Sequence, residues 1–425
     1  MAVELARTLL AFVFFLLLAV ALSDDRRAIP WRVVVAGLAL EIAVALLLGY
    51  LPPVKRLLAL ASDGANAVQT ATDAGASFVF GYLAGGDMPF EVKKPGAGFI
   101  LAFGALPMVL TISALAALFF YLGVLQRVAG ALAWLLRRSM GLSGPLALGA
   151  AVHVFVGMIE APLLIRPYLA RMQRGELFAL MSCGMAGVAG TVMVIYAGFL
   201  SPFLPDALGH ILAASVIATP AAIAIAAIMS PWRLGDLEDE ATLIFDHPPA
   251  GPFDAIIKGV ADGVGPLVGI VSVLLTTIAL VTLVNMALAL LPTIGGQVVS
   301  LQWLFSWPFR PVVWLIGVPW AETPVAASLM ATKTVMNEFV AYRDMSALGA
   351  QALSPKSRLL LTYALCGFAN FGSMGILVGG LNAMLPERRA EITRLGLRSI
   401  LSGTMATCLS ATVAGLLFEM NGLPS

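Results

Sequence analysis

Two carboxylates stand beside long apolar runs of this chain. Glu160 lies in "VGMIEAPLLIRPYL" and Glu338 in "ATKTVMNEFVAY". A carboxylate at membrane depth costs about 2.5–3.5 kcal/mol on insertion scales, so it must face a cavity, a partner or a substrate. When ionised it only accepts hydrogen bonds. It therefore suits a ligand rich in hydroxyl donors, such as a sugar ring. Asn337 precedes Glu338, and "CGFANFGSMG" adds Asn370 and Ser373. These last two both donate and accept, and at a spacing of three they share one face of a helix. His153 is one of three histidines and lies inside an apolar stretch. Histidine is the side chain best suited to proton exchange near neutral pH. The blander readings are helix-end carboxylates paired with a neighbour such as Lys333, and a neutral core histidine bonded to a carbonyl.

The elements that position these groups must cross a membrane. Of 425 residues, 60% are hydrophobic and 12% charged, with a mean hydropathy of +0.94. Soluble domains average about 25% charged residues. The net charge of +1 gives no basic face for nucleic acid. Cys183, Cys366 and Cys408 are scattered through apolar segments and form no disulfide framework or zinc spacing. No metalloprotease, phosphate-loop or dinucleotide motif is present. The first apolar run, "LLAFVFFLLLAVALSDDRR", is followed rather than preceded by basic residues. It reads as a first transmembrane helix, not a signal peptide.

A spanning helix needs about 20 apolar residues. Candidate spans are 4–22, 33–51, 97–122, 178–200, 207–230, 264–291, 357–384 and 396–418, eight in all. Stretches 143–165 and 318–341 are interrupted by Pro, Gly and polar residues and read as re-entrant hairpins. The expected fold is an all-α polytopic membrane protein: eight transmembrane helices, two inverted re-entrant hairpins and interfacial helices. Arginine clusters after span one, around the first hairpin and between the last two spans fall on one side if both termini are periplasmic. The loop bearing Glu238–Glu240 is then cytoplasmic, with Phe253–Val260 as a helix on the membrane surface. Trp303, Trp307, Trp314 and Trp320 mark a periplasmic interface. Residues 1–95 hold two transmembrane helices and an interfacial helix, and 96–142 a scaffold helix and a connecting helix. Residues 143–230 form the first inverted repeat, with hairpin one, a broken fourth helix and a fifth. Residues 231–300 carry the cytoplasmic loop, an interfacial helix and a sixth, scaffold, helix. Residues 301–425 form the second repeat, with hairpin two, a broken seventh helix and an eighth.

Each hairpin is followed by a span broken with glycine and small residues, "CGMAGVAGTV" and "CGFANFGSMG". Paired, inverted, discontinuous helices point to a secondary transporter with its site at the midplane. No metal-ligand cluster or nucleophile–base pair lies near either glutamate, so an enzyme is not expected. The broken repeats favour a carrier over a channel.

"ATKTVMNEFVAY" resembles the signature G-x-K-x-x-x-N-E-F-V-A of the concentrative nucleoside transporter family, with Ala331 in place of the glycine. "ALCGFANFGSMGI" resembles that family's broken seventh span, and "GMIEAP…RPYL" and "GMAGVAGTV" its first hairpin and fourth span. The resemblance covers residues of about 25–420. It implies an elevator-type, cation-coupled nucleoside symporter, assembled as a homotrimer in the bacterial inner membrane, with no cofactor. It further implies that Glu338, Asn370 and Ser373 hold the ribose, that Phe368 lies near the ligand and that Glu160 is the first-hairpin carboxylate.

Three departures matter. The family's base-reading Gln and Thr/Ser are here Met158 and Ile159. Its sodium-binding Asn and Ser/Thr are here His153 and Gly187, with Val188 next in the broken span. Ribose recognition is thus expected to be kept and base recognition altered. Protons are favoured over sodium as the coupling ion. Glu160 and Glu338 would share a proton if they face each other. The alternatives are a sodium symporter, or a carrier of a modified nucleoside or a free base.

Overall fold

The computed structural model describes residues 2–91, 99–204, 206–234, 241–243, 249–349 and 351–420. Helices α1 (Ala2–Ala21) and α2 (Trp31–Tyr50) have 20 residues each, which at about 1.5 Å per residue spans a hydrocarbon core. Leu51 leaves the helix because a proline follows it, and α3 (Pro52–Phe80) restarts on Pro52. A short α4 (Leu101–Gly104) and α5 (Pro107–Tyr121) make the third span. The connecting helix α6 (Val124–Met140) is bounded by Gly123 and Gly141, whose φ of 74° and 70° favours glycine.

The first hairpin is α7 (Gly144–His153), then α8 (Glu160–Leu164) and α9 (Arg166–Leu169). Its broken span is α10 (Arg174–Ala186) and α11 (Gly190–Leu200), followed by α12 (Ala207–Met229). Next come α13 (Pro252–Leu288) and α14 (Leu301–Leu315). The second hairpin is α15 (Thr323–Val335) and α16 (Glu338–Ala347). Its broken span is α17 (Pro355–Leu365) and α18 (Phe371–Met384), and α19 (Arg389–Met420) closes the chain. Seven of the eight expected spans are helices long and apolar enough to cross a membrane; the eighth is the α17–α18 pair, split at Cys366–Asn370.

The core lies in the repeats. In α10–α11 and in α12, 89% of the apolar window is buried inside the chain, against 17% for α5 and 11% for α13. The last two pack on each other and turn their other faces outward. A Cβ at Gly259 would lie 2.6 Å from the Ser113 carbonyl oxygen, and one at Gly263 2.9 Å from the Ser113 side chain. Small residues four apart let the two backbones approach, as in membrane helix pairs generally. Loop carbonyls at hairpin ends must find donors in an apolar medium. Arg388 donates to the carbonyls of Leu169 (3.1 Å) and Met172 (2.7 Å), and Arg358 to those of Leu348 (3.3 Å) and Gly349 (2.8 Å).

One expectation is corrected. Phe253–Val260 is no separate surface helix but the first turns of the 37-residue α13. Pro252 starts the helix, Asp254 and Lys258 pair across one turn at 2.9 Å, and no breaker intervenes before Pro266. The acidic Glu238–Glu240 segment lies outside the described residues. Trp303, Trp307 and Trp314 sit on α14 and Trp320 just beyond it; Trp307, Trp314 and Trp320 are exposed.

Candidate functional site

Asn337 and Asn370 are both N-cap residues. Asparagine is favoured there because its side-chain oxygen takes one of the helix's unpaired N–H groups. Asn337 Oδ1 accepts from Val340 N at 3.0 Å, and Asn370 Oδ1 accepts from Ser373 N at 2.7 Å. The amide of Asn370 is thereby oriented, and its Nδ2 donates to Glu338 Oε2 at 2.9 Å. The other carboxylate oxygen, Oε1, accepts from Tyr196 Oη at 2.7 Å. Glu338, Asn370 and Tyr196 are all buried, and Ser373 nearly as fully.

This cluster joins the repeats. Tyr196 belongs to α11 of the first; Glu338 and Asn370 begin α16 and α18 of the second. Two helix N-termini therefore meet at one carboxylate, each with backbone N–H groups to satisfy. A carboxylate oxygen accepts about two hydrogen bonds, so each Glu338 oxygen keeps room for another donor. Tyr196 was not legible in the sequence, because "VIYAGFL" reads as an apolar run with one interfacial tyrosine. Its ring meets Phe339 edge-on (centroids 6.1 Å apart) and Tyr342 at a tilt (5.2 Å), which restricts where the hydroxyl points. Lys333 does not pair with Glu338. Its Nζ donates to the Ala364 carbonyl at 2.9 Å and so caps the last turn of α17 before the break, where a cation is favoured.

The two breaks touch. Phe368 N donates to the Gly187 carbonyl at 3.3 Å, and a Cβ on Gly367 would lie 2.7 Å from the Met185 carbonyl oxygen. Glycine at 367 is thus required by backbone contact. His153 faces the same break: a Cβ on Gly187 would lie 3.2 Å from its Nε2. Val188 N donates to Ser215 Oγ at 3.4 Å, and Ser215 Oγ lies 3.5 Å from Cys366 Sγ. His153, Gly187 and Val188 are therefore one neighbourhood, with Ser215 as a member the sequence did not reveal. His153 is 2% exposed; the backbone carbonyls of Gly157 and Cys183 are the nearest acceptors for its ring, and neither makes a hydrogen bond of good geometry.

The apolar residues of the first hairpin pack on both broken spans. Met158 is buried against Gly184, where an added Cβ would lie 3.2 Å from its own Cβ. Ile159 packs on α18, with Cδ1 2.9 Å from the place of a Cβ on Gly380. Glu160 opens α8 and is exposed. Among the described residues no hydrogen bond joins it to Glu338, so the structure does not bring the two carboxylates into one bonded pair. Among the described residues no group of histidines, cysteines and carboxylates is arranged to hold a metal.

Comparison with known proteins is consistent along the whole chain. Residues 10–83 match the model of the N-terminal part, and residues 210–415 that of the C-terminal part, of the "Na+ dependent nucleoside transporter" family; residues 102–203 match a "Gate: Nucleoside recognition" model. An uncharacterised transporter of Haemophilus influenzae is 36% identical over 96% of this chain and 97% of its own. The putative nucleoside permease NupX of Escherichia coli is 32% identical over 97% and 98%. Sodium/nucleoside cotransporter 1 of Mus musculus is 34% identical over 96% of this chain and 63% of its own. The inward-facing, substrate-bound structure of CNTnw superposes with a TM-score of 0.87 at 34% identity, covering 99% of this chain and 100% of that one. An outward-facing variant of CNTnw gives 0.90 at 34% identity, with both chains fully covered.

Proposed function

The chain belongs to the concentrative nucleoside transporter family, and from that membership we propose that it imports nucleosides across a bacterial inner membrane, coupled to protons. The carrying observation is the buried Glu338 carboxylate, held from both sides by Tyr196 and Asn370 and still able to accept. Ribose hydroxyls donate to it, while Asn370 and Ser373 complete the sugar end. Met158 and Ile159 line the base end, with Phe368 near the ligand and Glu160 on the exposed side of hairpin one. His153, beside Gly187 and Val188, takes the coupling proton. Its place beside the break supports this reading, because sodium wants hard oxygen ligands that neither imidazole nor a glycine side chain offers. Access alternates as the two hairpins and the two broken spans move against α5 and α13, of whose apolar windows only 17% and 11% are buried inside the chain.

Labelled uridine and adenosine, offered to proteoliposomes, test the proposal. Saturable uptake of intact substrate, with counterflow, is expected. Product formation would mean an enzyme, and non-saturating flux a channel. An apolar base end gives up two hydrogen bonds of about 1 kcal/mol each. The two nucleosides should therefore compete with half-saturating concentrations within about ten-fold of each other, a discrimination below about 1.4 kcal/mol. A larger ratio would show that polar groups read the base.

Tyr196→Phe isolates the hydroxyl that holds the carboxylate. A hydrogen bond to a charged group contributes about 1.5–3 kcal/mol. Half-saturation should rise roughly ten-fold or more, with a smaller change in maximal uptake. An unchanged half-saturating concentration would remove Tyr196 from the site.

A further inference from the structure

A third carboxylate lies deep in the chain, away from the substrate and His153 neighbourhoods. Glu41 is near the middle of α2 and fully buried. Its Oε1 is 3.0 Å from Ser410 Oγ on α19, and its Oε2 has no hydrogen-bond partner. Ser410 Oγ is also 3.1 Å from the carbonyl oxygen of Ala406, one turn earlier.

A serine hydroxyl has one hydrogen to give and two lone pairs with which to receive. If it gives that hydrogen to Glu41, the carboxylate keeps a bare, charged oxygen in an apolar interior. An isolated buried carboxylate is among the most costly arrangements a protein can hold. If Glu41 carries a proton, Oε1 donates to Ser410, and Ser410 donates to the Ala406 carbonyl. The remaining oxygen is then a neutral carbonyl.

Among the described residues the surroundings offer Glu41 no cation. The helices packed on α2 are α3, α6, α12 and α19. Their titratable side chains are Lys55, Arg56, Asp63 and Asp73 on α3, Arg127, Arg137 and Arg138 on α6, and His210 on α12. On α19, among the described side chains, they are Arg389, Glu391, Arg394, Arg398 and Cys408. Among the described residues none makes an ion pair with Glu41. Arg398, the last cation of α19 before Ser410, is twelve residues away, about 18 Å along the helix; His210 is bonded to Tyr363 Oη at 3.2 Å.

We propose that Glu41 is a resident proton-binding site, separate from Glu338 and His153, whose acid group pins α2 to α19 through Ser410. The assignment does not depend on which ion drives transport. The proton stays bound through the cycle, since among the described residues no hydrogen-bond chain runs from Glu41 to Glu338 or His153.

Infrared spectra of the whole protein in lipid at neutral pH test this directly. The difference between the parent and Glu41→Gln should contain the carbonyl stretch of an undissociated carboxylic acid. Ser410→Ala should move that band to higher frequency by weakening its hydrogen bond, without removing it. Glutamine reproduces the shape and the donor, so Glu41→Gln should keep uptake within about two-fold. Superimposable spectra of parent and Glu41→Gln would overturn the protonated state. Loss of proton-driven uptake in a folded Glu41→Gln would overturn the resident character of the proton. A band unmoved by Ser410→Ala would overturn the tie to α19.

Discussion

Uptake at low substrate concentration should fall about 100-fold or more when Glu338 is replaced by Gln, with the protein still folded. The substitution keeps size and shape and changes only what the group can accept. Two charge-assisted hydrogen bonds from sugar hydroxyls, each worth about 1.5–3 kcal/mol, would be weakened or lost. The present partners respond unequally. Tyr196 Oη can turn to accept a hydrogen from the new amide. Asn370 cannot, because its Oδ1 is occupied by Ser373 N at 2.7 Å, leaving Nδ2 facing residue 338. The amide must therefore present its oxygen to Asn370 and its NH₂ to Tyr196, at the cost of a substrate contact. Uptake of labelled uridine, set beside the thermal midpoint of the purified variant, separates lost binding from lost folding. Near-normal uptake by a folded variant would remove Glu338 from the substrate site.

The second large effect is expected at His153. In the parent, uptake driven by protons should fall as the external pH rises. His153→Asn replaces the imidazole with an amide oxygen beside Gly187, Val188 and Ser215, the kind of ligand a hard cation accepts. The variant should lose most of that pH dependence and gain a dependence on sodium. Uptake measured across external pH, with and without sodium, checks both. If the pH profile is unchanged, the proton site lies elsewhere.

Much of this arrangement was legible in the sequence, and what was missed has physical reasons. Asn337–Glu338 and Asn370–Ser373 stood out because polar caps interrupt apolar runs, and the structure uses both asparagines as N-caps. The splits at Gly187 and at Cys366–Asn370 could be read because glycine and asparagine are poor interior helix formers. His153 and Gly187 were paired by resemblance, and the structure sets them side by side. Tyr196 could not be found that way. A tyrosine in an apolar run looks the same whether its hydroxyl meets lipid headgroups or a buried carboxylate. Helix α14 was hidden by Pro308 and Pro311, which lie inside it, and its tryptophans were read only as interfacial anchors. The continuity of α13 was obscured by its length: 37 residues rise about 55 Å, more than a bilayer core of about 30 Å requires. Glu41 was visible as a letter, but nothing in its neighbourhood in the sequence names Ser410, which is 369 residues away.

The account rests most heavily on which gradient drives accumulation. Proteoliposomes containing the protein, with the membrane potential clamped at zero, should be given labelled uridine under an inward proton gradient alone and then an inward sodium gradient alone. The account predicts accumulation with protons and only equilibration with sodium. Accumulation with sodium alone would contradict it, and would mean that backbone carbonyls around Gly187 and Val188 build an ion site that His153 does not govern.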